Sequence, residues 1–270
     1  MPGHPQRRSA PALYGDVVTA RVLVLADSLA YHGPERAEMP DDPRLWPQVM
    51  TAELAAAGRA AQVDLVARLG WTARDGWWAL TKDPRCWGEV LPRADAVVIT
   101  LGGMDHLPAA IPTYLREGIP YLRPGGLRRR VRGVYRVAAP KVMALTGGPW
   151  RQLPQAATDA YLGRIVDAVR YWRPAAPIVL LGPAPHAAPD YPVTRGHAPA
   201  VAAARRFAAD RELAFIDLDP LVWPCLRDGS ANPDGMHWGW RSHARIGAAV
   251  AAQLDLAWPR PAAHDGLEQP

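Results

Sequence analysis

The sequence predicts a three-layer α/β/α sandwich, in which a five-stranded, mainly parallel sheet is covered on both faces by helices. Three observations carry that expectation. Five short apolar runs alternate with five longer helical patterns, the order that parallel strands joined by crossover helices require. Each apolar run is followed by a turn-prone or polar segment, as strand ends are. The chain has 270 residues and is 49% hydrophobic, which suits one large core better than two small ones.

The strands are expected at 22–26, 62–67, 96–101, 178–181 and 214–218. The first, Arg21-Val22-Leu23-Val24-Leu25, is apolar without alternation and therefore reads as buried on both faces. Apolar residues recurring at helical spacing place helices at 46–57, 73–80, 155–172, 199–211 and 240–254. Residues 1–18 and 257–270 are rich in Pro and in small and polar residues and are expected to be loosely ordered. The segment between them, 19–256, reads as a single domain. A long stretch at about 106–154 separates the third and fourth strands without repeat or strand pattern, and is expected to be a lid or cap.

Composition excludes several classes. No apolar run approaches the roughly 20 residues that span a bilayer, and the stretch before Arg21 lacks an apolar signal-peptide core, so integral membrane association is not expected and a cytoplasmic protein is. Cys86 and Cys225 are the only cysteines; they supply neither a disulfide framework nor a clustered-cysteine metal site and are expected to be buried. The formal charge is +5. The basic residues are nearly all Arg, with Lys only at Lys82 and Lys141, while Ala, Pro and Gly are abundant and Asn occurs only at Asn232. A GC-rich genome produces that bias, so net charge carries no functional argument here, and no nucleic-acid-binding module accompanies it.

In parallel α/β sheets, ligands bind beyond the C-terminal strand ends. Ser28, Gly70-Trp71-Thr72, Gly102-Gly103-Met104-Asp105 and Pro183-Ala184-Pro185-His186 follow the first four strands and share that edge. Near the other end of the chain, Asp234-Gly235-Met236-His237 lies on a loop before the last helix. A serine hydroxyl needs a base to take its proton, and imidazole serves best when a carboxylate fixes its tautomer. Ser28, His237 and Asp234 are those three side-chain types. No metal is required. Singly, each has a blander reading as a turn, packing or capping residue.

Four blocks together resemble the SGNH-hydrolase superfamily of GDSL-like esterases and lipases, whose fold is flavodoxin-like. Ala26-Asp27-Ser28-Leu29 is similar to its Gly-Asp-Ser-Leu nucleophile block, Gly70 to the second-block glycine, Gly102-Gly103-Met104-Asp105 to the Gly-x-Asn-Asp block, and Asp234-Gly235-Met236-His237 to the Asp-x-x-His block. The resemblance implies Ser28 as nucleophile, His237 as general base and Asp234 as its orienting carboxylate. It also implies an oxyanion hole from the backbone N–H groups of Ser28 and Gly70 and a third-block Asn side chain. Here Met104 replaces that Asn, and a thioether donates no N–H. Losing one such donor commonly costs on the order of 3 kcal/mol of transition-state stabilisation, less for an activated acyl group such as a thioester. The replacement candidates are Asn232 and the backbone N–H groups of Gly103 and Met104.

Trp71, Asp105, His106 and Trp238 are expected to line the substrate, with Trp77, Trp78 and Trp240 nearby as an apolar slot or a stacking face for a sugar. The run 123–132 contains Arg123, Arg128, Arg129, Arg130 and Arg132. It reads either as a solvated helix face or as a cluster that holds the phosphates of an acyl carrier or the carboxylate of an acidic acceptor; Arg128, Arg129, Arg130 and Arg132 are its binding candidates.

At finer grain, Leu25-Ala26-Asp27-Ser28-Leu29-Ala30-Tyr31-His32-Gly33-Pro34, Gly102 to Pro108, and Asp234 to Gly239 resemble the actinobacterial diglucosylglycerate octanoyltransferases. That likeness implies a cytoplasmic enzyme moving an octanoyl group from acyl-CoA to a sugar hydroxyl of diglucosylglycerate in methylglucose lipopolysaccharide synthesis, with no permanently bound cofactor. A same-fold alternative is a carbohydrate or lipid ester hydrolase. A different class is a non-catalytic carbohydrate-binding protein, against which the retained Ser28, Asp234 and His237 argue.

Overall fold

In the computed structural model, which describes residues 19–258, the chain runs through β1 (Ala20–Ala26), α1 (Trp46–Ala56), β2 (Ala61–Ala67), α2 (Ala73–Lys82), α3 (Leu91–Arg93) and β3 (Ala96–Thr100). An insertion follows, with β4 (Pro108–Ala109), α4 (Thr113–Gly118), α5 (Gly125–Thr146) and β5 (Trp150–Arg151). The chain then forms α6 (Gln155–Trp172), β6 (Ile178–Leu181), α7 (His197–Asp210), β7 (Ala214–Ile216), α8 (Asp219–Asp228) and α9 (Trp240–Ala257).

The sheet order is β2-β1-β3-β6-β7, with every neighbouring pair parallel. The chain steps outward from β1 to β2 and then returns across β1 to β3. That reversal opens a crevice at the C-terminal ends of β1 and β3, where Ala26 pairs with Thr100.

Side chains alternate between the faces of a strand, so an all-apolar strand feeds two cores. Val22, Val24 and Ala26 pack with Trp46, Met50 and Leu54 of α1 and Ile246, Val250 and Leu254 of α9. Leu23 and Leu25 pack on the opposite side with Leu80 of α2 and Ile165, Val166 and Val169 of α6. Gly247 allows α9 to lie close on α1, because a Cβ there would fall 2.6 Å from Val49 Cβ and 2.8 Å from Trp46 O.

The five expected strands and five expected helices are present, and α6 has the expected bounds. β3 and β7 end one and two residues short of their expected limits, and α9 runs three residues beyond its limit. α8 and the helices of the insertion have no counterpart in the sequence reading, for an identifiable reason. Pro220 and Pro224 punctuate α8, and α5 contains Pro140 with Gly125, Gly126 and Gly133, all poor helix formers.

The insertion leaves and rejoins the body side by side, because β4 and β5 pair antiparallel, Pro108 with Arg151 and Ala109 with Trp150. The 22-residue α5 buries only Ala139 and Met143. The ends expected at 1–18 and 257–270 lie outside the described residues, except for Ala257, which closes α9, and Trp258. No described helix is long and apolar enough to cross a membrane. Both cysteines are free and buried, and burial pushes the Cys86 thiol up to about 11.

Candidate active site

β1 stops at Ala26, and the chain turns at once. Asp27 caps the turn by accepting the Leu29 N–H on Oδ1 at 2.9 Å. His32 N–H donates to Ser28 O at 2.9 Å, so Ser28 opens a tight helical turn at the strand end and is 5% exposed.

The hydrogen-bond partner of Ser28, His237, comes from the other end of the chain. In the loop before α9, Asp234 Oδ1 accepts the N–H groups of Met236 at 2.8 Å and His237 at 3.0 Å. Asn232 Oδ1 accepts the Asp234 N–H at 2.9 Å. Gly235 has φ +69°, and a Cβ on it would lie 2.5 Å from the Ala187 carbonyl; only glycine fits where this loop meets the one after β6. The folded loop leaves Asp234 Oδ2 to accept His237 Nδ1–H at 2.6 Å. With Nδ1 the donor, Nε2 accepts the Ser28 hydroxyl proton at 3.0 Å.

Burial lowers the His237 pKa and outweighs the opposing pull of Asp234; the nearby His32 ring lowers it further. The imidazole therefore stays neutral, the state a general base needs. Burial acts to raise Asp234, but the hydrogen bonds from His237 and Met236 win and hold it below the usual carboxylate range.

His32 lies against the His237 imidazole. Its ring stacks on His237 at 3.7 Å between centroids and 20° between planes. Its Nδ1–H donates to Gly33 O at 2.8 Å. Its carbonyl accepts His243 Nε2–H at 3.1 Å, and His243 Nδ1 accepts the Trp46 N–H at 3.2 Å. Those opposite roles require a neutral His243, whose pKa burial lowers to about 4. A line of contacts thus runs from the α1 N-terminus through His243 and His32 to His237. The Ser-x-x-x-His spacing at 28–32, one helical turn, was the available signal.

The backbone N–H groups of Ser28, Gly70, Gly103 and Met104 donate to no acceptor among the described residues. Gly70, at φ +72°, has open space where a Cβ would stand. Immediately beyond it, Thr72 and Asp75 form a reciprocal cap that begins α2. Gly103 lies against the nucleophile turn, its Cβ position 3.9 Å from Asp27 Oδ2. The Asn232 side-chain oxygen holds the 234–237 loop, while its amide N–H groups, like the backbone N–H groups of Gly103 and Met104, stand as candidate replacement donors.

Other expected lining residues are placed differently. Trp238 is fully buried in the core shared by the sheet, α1 and α9, edge-on to His243, and cannot touch a substrate. Asp105 is 2% exposed and braces the third block, accepting the Ala73 N–H at 3.1 Å and the Thr158 hydroxyl at 2.8 Å. His106 is buried against His186 and His197, and burial pushes its pKa down to about 3. Trp71 stays half-buried at the edge, packed on the α2 core. Arg128 and Arg132 line a cavity in the insertion, whereas Arg129 and Arg130 are exposed outside it.

Asp27 yields a stability prediction. It is 1% exposed, and burial raises its pKa to about 7 despite the Leu29 hydrogen bond, with the Asp105 charge adding to the rise. A folded-state pKa above the unfolded one means that the native state holds the proton. That contribution is fully present below the unfolded value and is lost as pH rises through about 7. Asn mimics the protonated carboxyl at every pH and still accepts from Leu29. Asp27→Asn should match the wild type near pH ~4 and exceed it by roughly 2–4 kcal/mol near pH ~8 in urea unfolding. A difference independent of pH would contradict the buried titration.

No family profile matches the chain. Diglucosylglycerate octanoyltransferase of Mycolicibacterium hassiacum is 40% identical over 236 residues, covering 86% of this chain and 94% of that protein. The enzyme of that name from Mycobacterium tuberculosis is 40% identical over 234 residues, covering 86% and 91%. Among solved structures, a lipase/acylhydrolase from Enterococcus faecalis superposes with a TM-score of 0.58 at 17% identity, covering 90% of this chain and 99% of its own. TesA gives 0.56 at 18%, with 88% and 99% covered. Est24, a carbohydrate acetylesterase from Sinorhizobium meliloti, gives 0.53 at 15%, with 88% and 99% covered. At these identities the structural likeness concerns the fold alone.

Proposed function

The chain belongs to the diglucosylglycerate octanoyltransferase family and has the SGNH-hydrolase fold, and from that premise we propose that it moves an octanoyl group to a sugar hydroxyl of diglucosylglycerate through a Ser28 acyl-enzyme. The observation that supports the serine route is the relay from Ser28 Oγ to His237 Nε2 at 3.0 Å and from His237 Nδ1 to Asp234 Oδ2 at 2.6 Å, at the crevice where the strand order reverses.

In this reading the donor is octanoyl-CoA and the site works in the cytoplasm, where coenzyme A thioesters occur. Ser28 Oγ attacks the thioester carbonyl carbon while its proton passes to His237 Nε2. The tetrahedral oxyanion is met by the N–H groups of Ser28 and Gly70 and by Gly103 or Met104 in place of the usual Asn. Collapse expels the thiolate, which takes the proton from His237. An acceptor hydroxyl then enters, gives its proton to His237 and attacks the acyl carbon; collapse forms the sugar ester and returns the proton to Ser28.

Incubation with octanoyl-CoA should leave an octanoyl adduct on the peptide that contains Ser28, detectable by mass spectrometry. Added diglucosylglycerate should discharge it faster than water does. An adduct on another residue would move the nucleophile, and discharge only to water would make the enzyme a hydrolase.

His32 acts on this mechanism through His237. His32→Phe keeps a flat stacked ring but removes the imidazole that lowers the His237 pKa, so the acidic limb of the kcat/KM profile should move to higher pH. His32→Ala opens the imidazole to water and should also lower kcat about 10-fold. An acidic limb that stays in place in both variants would deny His32 this role.

A further inference from the structure

We propose that the arginine-lined cavity between α4 and α5 seats the phosphate-bearing end of the acyl donor; the proposal rests on the acyl-transfer reading above. Residues four apart share a helix face, and Arg128, Arg132 and Arg136 recur at that spacing along α5. Together with Arg116 of α4 they line a cavity of about 600 Å³, whose remaining wall includes Ile119, Pro120 and Tyr135.

The charge in this cavity is uncompensated. Its one acid, Glu117, is already ion-paired with Arg74. The Arg128 guanidinium donates only to the Pro120 carbonyl, at 3.2 Å, and the guanidinium groups of Arg116, Arg132 and Arg136 have no hydrogen-bond or ion-pair partner among the described residues. Four guanidinium groups facing one cavity repel one another unless an anion enters. A single carboxylate would offset one of them. A group with two or more phosphates carries charge commensurate with four, and its oxygens match the planar donor fork of arginine.

A second cavity adjoins the first. It measures about 610 Å³, shares Arg116, Tyr135 and Arg136 with the first, and is walled by Pro108, Pro140 and Met143 with Gln152 and one acid, Asp190. Pro108 lies on the segment leaving the third block. Tyr191, also in this wall, meets His186 edge-on at 6.2 Å, and the same loop donates the Ala187 N–H to Gly235 O of the base loop at 2.8 Å. An aliphatic arm anchored by phosphates at the arginines would run along Pro108, Pro140 and Met143, beside the loop that contacts the 234–237 segment.

Binding of adenosine 3′,5′-bisphosphate to the full-length protein, followed by calorimetry, tests this without turnover. Wild type and the Arg129→Gln/Arg130→Gln double variant should bind alike, because those two side chains lie outside the cavity. Arg132→Gln/Arg136→Gln removes the same charge from the cavity face and should weaken binding at least ~10-fold, and Arg132→Lys should fall between. Absence of binding to wild type, equal loss in both double variants, or displacement of the bisphosphate by glycerate would overturn the proposal, the last by assigning the arginines to the acceptor. Bisphosphate binding combined with an active Ser28→Ala variant would instead overturn the serine mechanism and leave this cavity's role intact.

Discussion

Ser28→Ala should lower octanoyl transfer by on the order of 10⁴-fold or more while the protein folds as before. The loss is large because the hydroxyl supplies both the bond to the acyl carbon and the proton that His237 takes, and no neighbouring group can do both. Folding should be spared because the turn is held by backbone and by Asp27: Leu29 N–H to Asp27 Oδ1 and His32 N–H to Ser28 O both survive the substitution. Two measurements check it, the rate of transfer from octanoyl-CoA and the urea unfolding curve. Undiminished transfer by a folded Ser28→Ala protein would sink the acyl-enzyme route.

Asp234→Asn should cost a comparable factor, on the order of 10⁴ in kcat, for a different reason. Asp234 Oδ1 shapes the loop through two backbone N–H groups and Oδ2 fixes the imidazole. An Asn can keep the first role with its carbonyl oxygen. Its amide then presents donors to His237 Nδ1, which must become the acceptor, and the ring proton moves to Nε2, where it blocks removal of the Ser28 proton. The effect should fall on kcat with the fold retained. Asp234→Ala, which also releases the loop, should in addition lower the melting temperature. If Asp234→Asn retained full activity, the carboxylate would not be setting the tautomer.

Much of the architecture was legible because burial leaves a local imprint. Strands buried on both faces must be apolar throughout, and helices packed on a sheet must repeat their apolar residues at helical spacing, so β1, β3, β6 and α6 could be read from a few residues each. α8 and α5 escaped that reading. The first is punctuated by Pro220 and Pro224, and the second buries so little of its length that no core-facing stripe was imposed on its sequence. The four blocks were equally legible, since a glycine forced to positive φ at Gly70 or Gly235 and an Asp-x-x-His loop are local solutions written in neighbouring residues.

What neighbouring residues do not encode is which side chains meet across the fold. Trp238 stands beside His237 in the chain and was expected to line the substrate; it is instead fully buried in the core cluster that holds Trp46 and Ile246. Asp105 and His106 follow the third block and turn inward as well, Asp105 to brace α2 and α6. Conversely, the stacking of His32 on His237 joins residues 205 apart in numbering; the one-turn spacing from Ser28 places His32 near the serine, but only the fold, through His243 and the α1 N-terminus, brings it onto His237.

The sequence by itself determined the parallel sheet through short-range patterning, and the resemblance of its four blocks to the SGNH hydrolases nominated Ser28, Asp234 and His237, which the fold joins by hydrogen bonds. Only the tertiary structure decided that Asn232 serves the base loop, that Arg128 and Arg132 join Arg116 and Arg136 around a cavity while Arg129 and Arg130 do not, and that His32 covers the imidazole. Those outcomes depend on distances between segments far apart in the chain, and such distances are set by packing.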